Sequence, residues 1–218
     1  MTTVASTTTT NVRHPIFARL YARVSLAMER ELAAHRRRLA AGLSGRVIEV
    51  GAGNGLNFAH YPAEVSHVLA VEPEPYLRGI AHHQAASAAV PIEVVAGVAE
   101  ELLPADATFD AAVASLVLCS VIDPHAALRE IHRVLRPGGE LRFFEHVRAE
   151  TRGLQRVQRA LDATVWPVLT GGCHAGRDTV AAIESAGFSI DRLERLRIPE
   201  SPGWNPTAPH VIGIAFRR

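Results

Sequence analysis

The chain predicts an α/β fold in which a doubly wound, parallel sheet carries helices on both faces. Three observations lead there. Short apolar runs rich in valine and isoleucine alternate with segments of helical spacing. One such run, 46–50, breaks into Gly51-Ala52-Gly53-Asn54-Gly55, as a buried parallel strand does on entering a tight turn before a helix. No internal repeat is present, so one sheet accounts for the whole alternation.

Taken in order, residues 1–14 are polar and threonine-rich and are expected to form a disordered tail, leaving 15–218 as a single domain. Over 15–43 apolar residues recur at helical spacing (Ile16, Leu20, Val24, Met28, Leu32, Leu39). Arg36-Arg37-Arg38 then reads as a solvated face near a helix C-terminus, and Gly42 as the stop. After the glycine turn come a short helix at 56–60 and a strand at 67–71 that runs into Glu72. Glu72-Pro73-Glu74-Pro75 is a turn, because proline fixes φ and pushes its predecessor out of the helical region. In the helix that follows, 76–89, His82 and His83 are adjacent, so their rings point to different sides and read as surface residues. Further strands are expected at 91–97, 109–115 and 140–147. The helix between the last two, 124–135, is capped by Asp123 and stopped by the Pro-Gly-Gly run at 137–139. A final strand opens at His210, after Pro209.

With 218 residues, 48 % of them apolar, the chain suits one α/β domain with a sizeable core. The formal net charge is +1, which gives no electrostatic support to a nucleic-acid or membrane-surface partner. All 23 basic residues are arginine. The two cysteines, Cys119 and Cys173, cannot form a disulfide framework and lack C-x-x-C spacing. They read as small buried hydrophobes or pocket thiols, and no metal is expected. A cytoplasmic location is the default, a monomer is favoured, and no apolar run approaches the roughly 18 residues of a membrane span.

In open α/β sheets a ligand lies outside the carboxyl ends of the strands, where a glycine turn lets backbone approach it closely. Glu72, about twenty residues past Gly51, is placed to bond a ribose hydroxyl pair. The glycines read G-x-G-x-G and the third position of a dinucleotide fingerprint falls on Leu56, which favours a ligand with ribose and adenine but no pyrophosphate.

With Glu49 ahead of it, the turn resembles the first motif of class I S-adenosylmethionine (SAM)-dependent methyltransferases. Gly97-x-Ala99-Glu100-x-Leu102, Phe109-Asp110 and Leu135-Arg136-Pro137-Gly138-Gly139 resemble later motifs of that family, in its order and at its intervals. The resemblance implies a Rossmann-like, seven-stranded, mostly parallel sheet and SAM as cofactor, with S-adenosylhomocysteine as product. It implies that Gly51 and Gly53 approach the methionine portion, Glu72 the ribose, Ala99 the adenine edge and Ser115 or Leu116 the methionine end. Tyr21, Glu49, Ala52, Asn57, Pro73 and Glu100 complete the expected cofactor set.

The carboxy-terminal third narrows the resemblance. The run 116–121, Glu145-His146-Val147, Leu161-Asp162, Trp166, Gly172-Cys173, Arg177-Asp178 and 209–213 look like the methyltransferase-like thiol S-methyltransferases, which methylate alkyl thiols and hydrogen sulfide. Those animal proteins carry an amino-terminal hydrophobic anchor. This sequence has no matching run, so their membrane location is not expected here. A small-molecule thiol is the favoured acceptor. O- or C-methylation of a phenol or quinone, and SAM binding without catalysis, stay open as alternatives.

For thiol chemistry a base near neutrality is useful, and histidine is the natural choice. His146 ends a strand on the ligand edge, His174 sits in a glycine-rich stretch, and His210 opens the last strand. Each also reads as structural. Asp162 lies four residues before Trp166 and shares its face if the helix is continuous, so the carboxylate could orient a base and the indole cover the ligand. The helical segment 15–43 is expected to act as a lid, with Phe17 and Tyr21 facing the pocket.

Overall fold

The computed structural model describes residues 15–199 and 205–218, and the expected tail at 1–14 lies outside them. Seven strands form one sheet: β1 (Gly45–Val50), β2 (Val65–Val71), β3 (Ile92–Val95), β4 (Phe109–Ser115), β5 (Leu135–His146), β6 (Phe188–Arg197) and β7 (Pro209–Arg217). Their order is β3-β2-β1-β4-β5-β7-β6. The first five pair in parallel. β7 enters antiparallel between β5 and β6, so the sheet is mixed at one edge rather than wholly parallel. The chain reverses direction across the sheet between β1 and β4, the switch point at which open α/β sheets leave a crevice.

The period of two decides which face each strand residue serves. On β4, Ala112 and Ala114 join one apolar cluster and Ala111 and Val113 the other; on β5, Phe143 and Phe144 divide the same way. The first cluster is closed by Leu128 and Ile131 of α4 (Pro124–Val134) and Ile183 of α7 (Thr179–Ser185). Leu32 and Leu39 of α2 (Glu29–Ala40) and Ala81 of α3 (Pro75–Ala85) close the second. Burying each such leucine contributes about 1.5–3 kcal/mol. Asp123 caps α4 by accepting N–H bonds from His125 and Ala126.

The amino-terminal segment corrects the sequence reading in three ways. It is two helices, α1 (Pro15–Ala27) and α2, divided at Met28. The physical reason is that the halves pack on different partners, α1 on α3 through Ala18, Ala22 and Leu77, and α2 on the sheet. In α1 the stripe Ile16, Leu20 and Val24 faces outward, 85 %, 57 % and 44 % exposed, because the small residues opposite allow close approach to α3. Arg36 is not solvated. It is buried, donating to Glu29 at 3.1 Å and to Asn57 at 2.8 Å.

The expected helix at 56–60 is a single 3-10 turn, Phe58–His60. Gly42 ends α2 with φ of 77°, as expected. His82 and His83 are exposed. Two further helices, α5 (Arg152–Asp162) and the short α6 (Trp166–Leu169), lead into the glycine-rich loop before α7. Among the described residues no helix is long and apolar enough to cross a membrane.

Candidate active site

A cleft of about 750 Å³ opens at the carboxyl ends of β1, β2 and β4, roofed by α1 and closed at one end by Gly171 and Gly172. Its floor is the glycine turn. Gly51 has φ of 68°, and a Cβ there would overlap the Val117 side chain. Gly53, with φ of 58°, lies under Tyr21, whose ring would be 3.5 Å from an added Cβ. Both glycines are therefore required by backbone conformation, and the first also by space.

The turn is held by a carboxylate. Glu72 accepts the Gly53 N–H on one oxygen and the Glu74 N–H on the other, each at 2.8 Å. Burial pushes its pKa up to about 7, against the opposing pull of those two N–H bonds. The same device recurs in the far wall. Glu145, fully buried on β5, accepts N–H bonds from Val117 and Leu118 at 2.9 Å and from Cys119 at 3.2 Å, and burial raises its pKa. Beside this wall Leu116 sits at φ of 57°, an uncommon conformation for leucine, held by its N–H to the Phe144 carbonyl at 2.7 Å. Glu100 reaches across to the N–H groups of Ile122 and Asp123.

The structure thus brings together at one cleft Phe17, Tyr21, Gly51, Gly53, Glu72, Pro73, Ala99, Glu100, Ser115 and Leu116. The Phe17 and Tyr21 ring centroids are 5.6 Å apart. The Ser115 hydroxyl is buried on this lining and has no partner, so it offers hydrogen-bonding capacity that a ligand can use. Of the expected lid only α1 reaches the cleft, because α2 is committed to the core through Leu32 and Leu39.

Three cofactor expectations are corrected. Glu49 lies below the turn, accepting from Asn57 and from the Tyr61 hydroxyl at 2.7 Å each, and Asn57 in turn accepts from Arg36. This buried network ties α2 to β1 and does not line the cleft. Ala52 packs into the core and gives its N–H to Val71.

The expected catalytic set does not assemble either. Asp162 ends α5 and accepts the N–H groups of Ala175 and Gly176, at 2.7 and 2.9 Å, so it holds a loop and orients no histidine. Trp166 begins a separate helix, and its indole does not line the cleft. His174 bonds the Gly172 carbonyl at 2.7 Å. His210 bonds the Ala208 carbonyl and is pushed down to about pKa 3, first by burial and then by His146, which keeps it neutral. His146 lies behind the wall, its Nδ1 3.4 Å from the Cys173 sulfur and its ring 4.3 Å from that of His210. Cys119 and Cys173 are buried off the cleft, as the small-hydrophobe reading expects, and their sulfurs lie 3.8 Å from each other.

Sequence reasoning missed Glu145 as an anchor, and Val117, Val121, Gly171 and Gly172 as lining. Glu145 carried a signal: it is an acidic residue directly after Phe143-Phe144 in an apolar strand, as Glu72 is after Val71.

A switch-point cleft with a glycine turn, a carboxylate at the end of β2 and an unpartnered serine hydroxyl has the features with which doubly wound enzymes bind nucleosides. A family model described as "Methyltransferase domain" matches residues 48–143. Rat thiol S-methyltransferase TMT1B is 38 % identical over 176 residues, 78 % of this chain and 70 % of that protein. Human thiol S-methyltransferase TMT1A is 34 % identical over 206 residues, 92 % and 83 %. A demethylmenaquinone methyltransferase of Mycolicibacterium vanbaalenii matches a shorter stretch, 34 % identical over 122 residues, 56 % of this chain and 54 % of that protein. Among solved structures, a SAM-dependent methyltransferase of Mesorhizobium loti shares the fold, with a TM-score of 0.62, 19 % identity, and coverage of 85 % of this chain and 97 % of that one. The chain belongs to the class I SAM-dependent methyltransferases. SAM is its methyl donor, and the glycine turn, Glu72 and the free Ser115 hydroxyl are residues of the kind that fit it.

Proposed function

We propose that the chain methylates the sulfur of a small-molecule thiol. Similarity to two thiol S-methyltransferases over 78–92 % of the chain carries this reading, and the character of the cleft supports it. The lining has five carboxylates, Glu72, Glu74, Glu100, Glu101 and Asp123, and among the described residues no basic side chain. Such a lining disfavours phosphorylated or carboxylated acceptors, because like charges repel. Near Gly171 and Gly172, away from most of these carboxylates, it turns apolar, with Phe17, Val117 and Val121, which suits a compact acceptor with no charge beyond that of the reacting sulfur.

SAM, when bound, supplies an electrophilic methyl on a sulfonium. The residues align and shield. Glu72 takes the ribose hydroxyls, Gly51 and Gly53 let backbone approach the methionine portion, Ala99 and Glu100 border the adenine, and Ser115 and Leu116 meet the methionine end. Phe17 and Tyr21 cover the cleft and exclude water, so that near-attack alignment does most of the catalytic work. No histidine lines the cleft among the described residues, so the acceptor arrives already ionised. A thiol with pKa near 8.5 is a few per cent thiolate at neutral pH.

The test is a mixed library of alkyl thiols, thiophenols, phenols and demethylated quinones with SAM, read by product mass and S-adenosylhomocysteine release. Methylated thiols are expected, with kcat/KM rising about tenfold per pH unit up to each thiol's own pKa. Product from phenols or quinones alone would replace the acceptor class, and no turnover with tight SAM binding would make the chain a binder.

A further inference from the structure

Behind the cleft wall, three chain segments bring together side chains that the methyl-transfer reading leaves unused. Cys119 follows β4 in the loop gripped by Glu145, His146 ends β5, and Cys173 lies in the loop between α6 and α7. One donor atom from each falls within 4.8 Å of the other two. The two sulfurs are 3.8 Å apart, and the Cys173 sulfur is 3.4 Å from His146 Nδ1. A tetrahedral zinc ion, with Zn–S about 2.3 Å and Zn–N about 2.0–2.1 Å, sets two sulfurs about 3.8 Å apart and a sulfur and a nitrogen about 3.5 Å apart. We propose that Cys119, Cys173 and His146 form a zinc site with three protein ligands and a fourth position open.

The donor set and its surroundings argue for this ion. Two soft sulfurs and one imidazole suit zinc and exclude the oxygen-seeking magnesium and calcium. Two thiolates cancel the charge of one Zn²⁺, so the loaded site is neutral where a lone charge would be costly to bury. The ligands are also positioned without the metal. The Cys119 N–H is held by Glu145, the His174 N–H bonds the Cys119 carbonyl at 2.8 Å, and the His146 ring packs on His210, itself fixed by the Ala208 carbonyl. Outer partners of this kind orient ligands in metal sites. Each zinc bound displaces one proton from each thiol to solvent, two in all. Ser120 and Gly172, the neighbours of the two cysteines, line the cleft, so the ion staples the two loops that form its acceptor end.

The experiment takes the full chain, reduced and freed of metal, and titrates it with zinc against a chromogenic chelator and, separately, with cobalt(II). One metal per chain is expected, with a thiolate-to-cobalt charge-transfer band and a higher Tm in zinc. The chain has only two cysteines, so that band reports on Cys119 and Cys173. Cys119→Ser, Cys173→Ser and His146→Ala should each weaken zinc binding by more than the roughly 10–100-fold typical of an outer-shell change, while His82→Ala on the exposed face of α3 should leave it unchanged. A cobalt complex without the thiolate band overturns the proposal. So does undiminished zinc binding by the double cysteine-to-serine variant, or a chain whose thiols pair as a disulfide and which takes up no metal after reduction. If a cysteine variant does not fold, the wild-type cobalt spectrum decides alone. None of these readouts involves a methyl acceptor, so the outcome is independent of the thiol reading.

Discussion

Replacing Glu72 with glutamine separates its charge from its shape. Each carboxylate oxygen now accepts one backbone N–H at 2.8 Å. Glutamine keeps one acceptor and turns an NH₂ toward the other donor, and neutral bonds replace charge-assisted ones at the ribose. The loss of SAM affinity should be about 1–3 kcal/mol at alkaline pH, roughly 5- to 160-fold in Kd. The pH dependence is the sharper signature. Since Glu72 titrates at about 7, only its ionised form can accept both ribose hydroxyls, and wild-type affinity should weaken about tenfold from about pH 8 to about pH 6. The variant should lack this component. Calorimetry on both proteins isolates the effect, because titration of the ligand itself is common to both. A wild-type to variant ratio that is the same at both pH values refutes the assignment. Stability should move with the opposite sign in the ligand-free chain. The folded pKa is raised from 4.5 to about 7, so the folded state binds the proton more tightly. This contribution is full below about pH 4.5 and is lost as pH rises through about 7, a difference of about 3 kcal/mol relative to Glu72→Gln by denaturant titration.

Gly51→Val would force a β-branched residue into φ of 68° and against Val117, so SAM binding should disappear at a stability cost of roughly 1–3 kcal/mol; calorimetry and circular dichroism together separate this from unfolding. Glu145→Gln leaves at least one of three backbone donors unpaired and should destabilise by about 1–3 kcal/mol, measured as a shift in urea midpoint. Bound SAM should protect α1 from protease while α2 stays resistant with or without it, and Phe17→Ala should weaken the protection. Equal cleavage of α1 in both states would remove the lid.

What the sequence made legible was local. The run into Gly51, the Val71-Glu72 strand end and the Asp123 cap each depend on residues a few positions apart, and each is where spacing puts it. The misreadings share one cause, partners far along the chain. Glu49 looked like a ligand contact because nothing nearby announced that Tyr61 and Asn57 consume both its oxygens. Asp162 looked like an orienting carboxylate because its donors, Ala175 and Gly176, follow in a loop without periodicity. Helical spacing found helix over 15–43 but neither the division at Met28 nor which face of α1 is buried, since alanines opposite the larger residues made the closer fit. Cys119 and Cys173 carry no motif in one dimension, and they meet only because the loop before α7 packs on the loop after β4, the His174 N–H bonding the Cys119 carbonyl.

The cleft is framed by Glu72, Glu100 and Glu145, and each of these grips the main chain of a neighbouring loop rather than a side chain. Amide hydrogens belong to every residue except proline. A loop fixed in this manner keeps its path whatever side chains it displays, so Val117, Val121 and Ile122 can be exchanged without the frame being rebuilt. An ancestral line could in this way change its acceptor by small steps, re-lining one end of the cleft while the donor end stayed constant. Proline at 117, 118, 119, 122 or 123 is the substitution such drift would have to avoid.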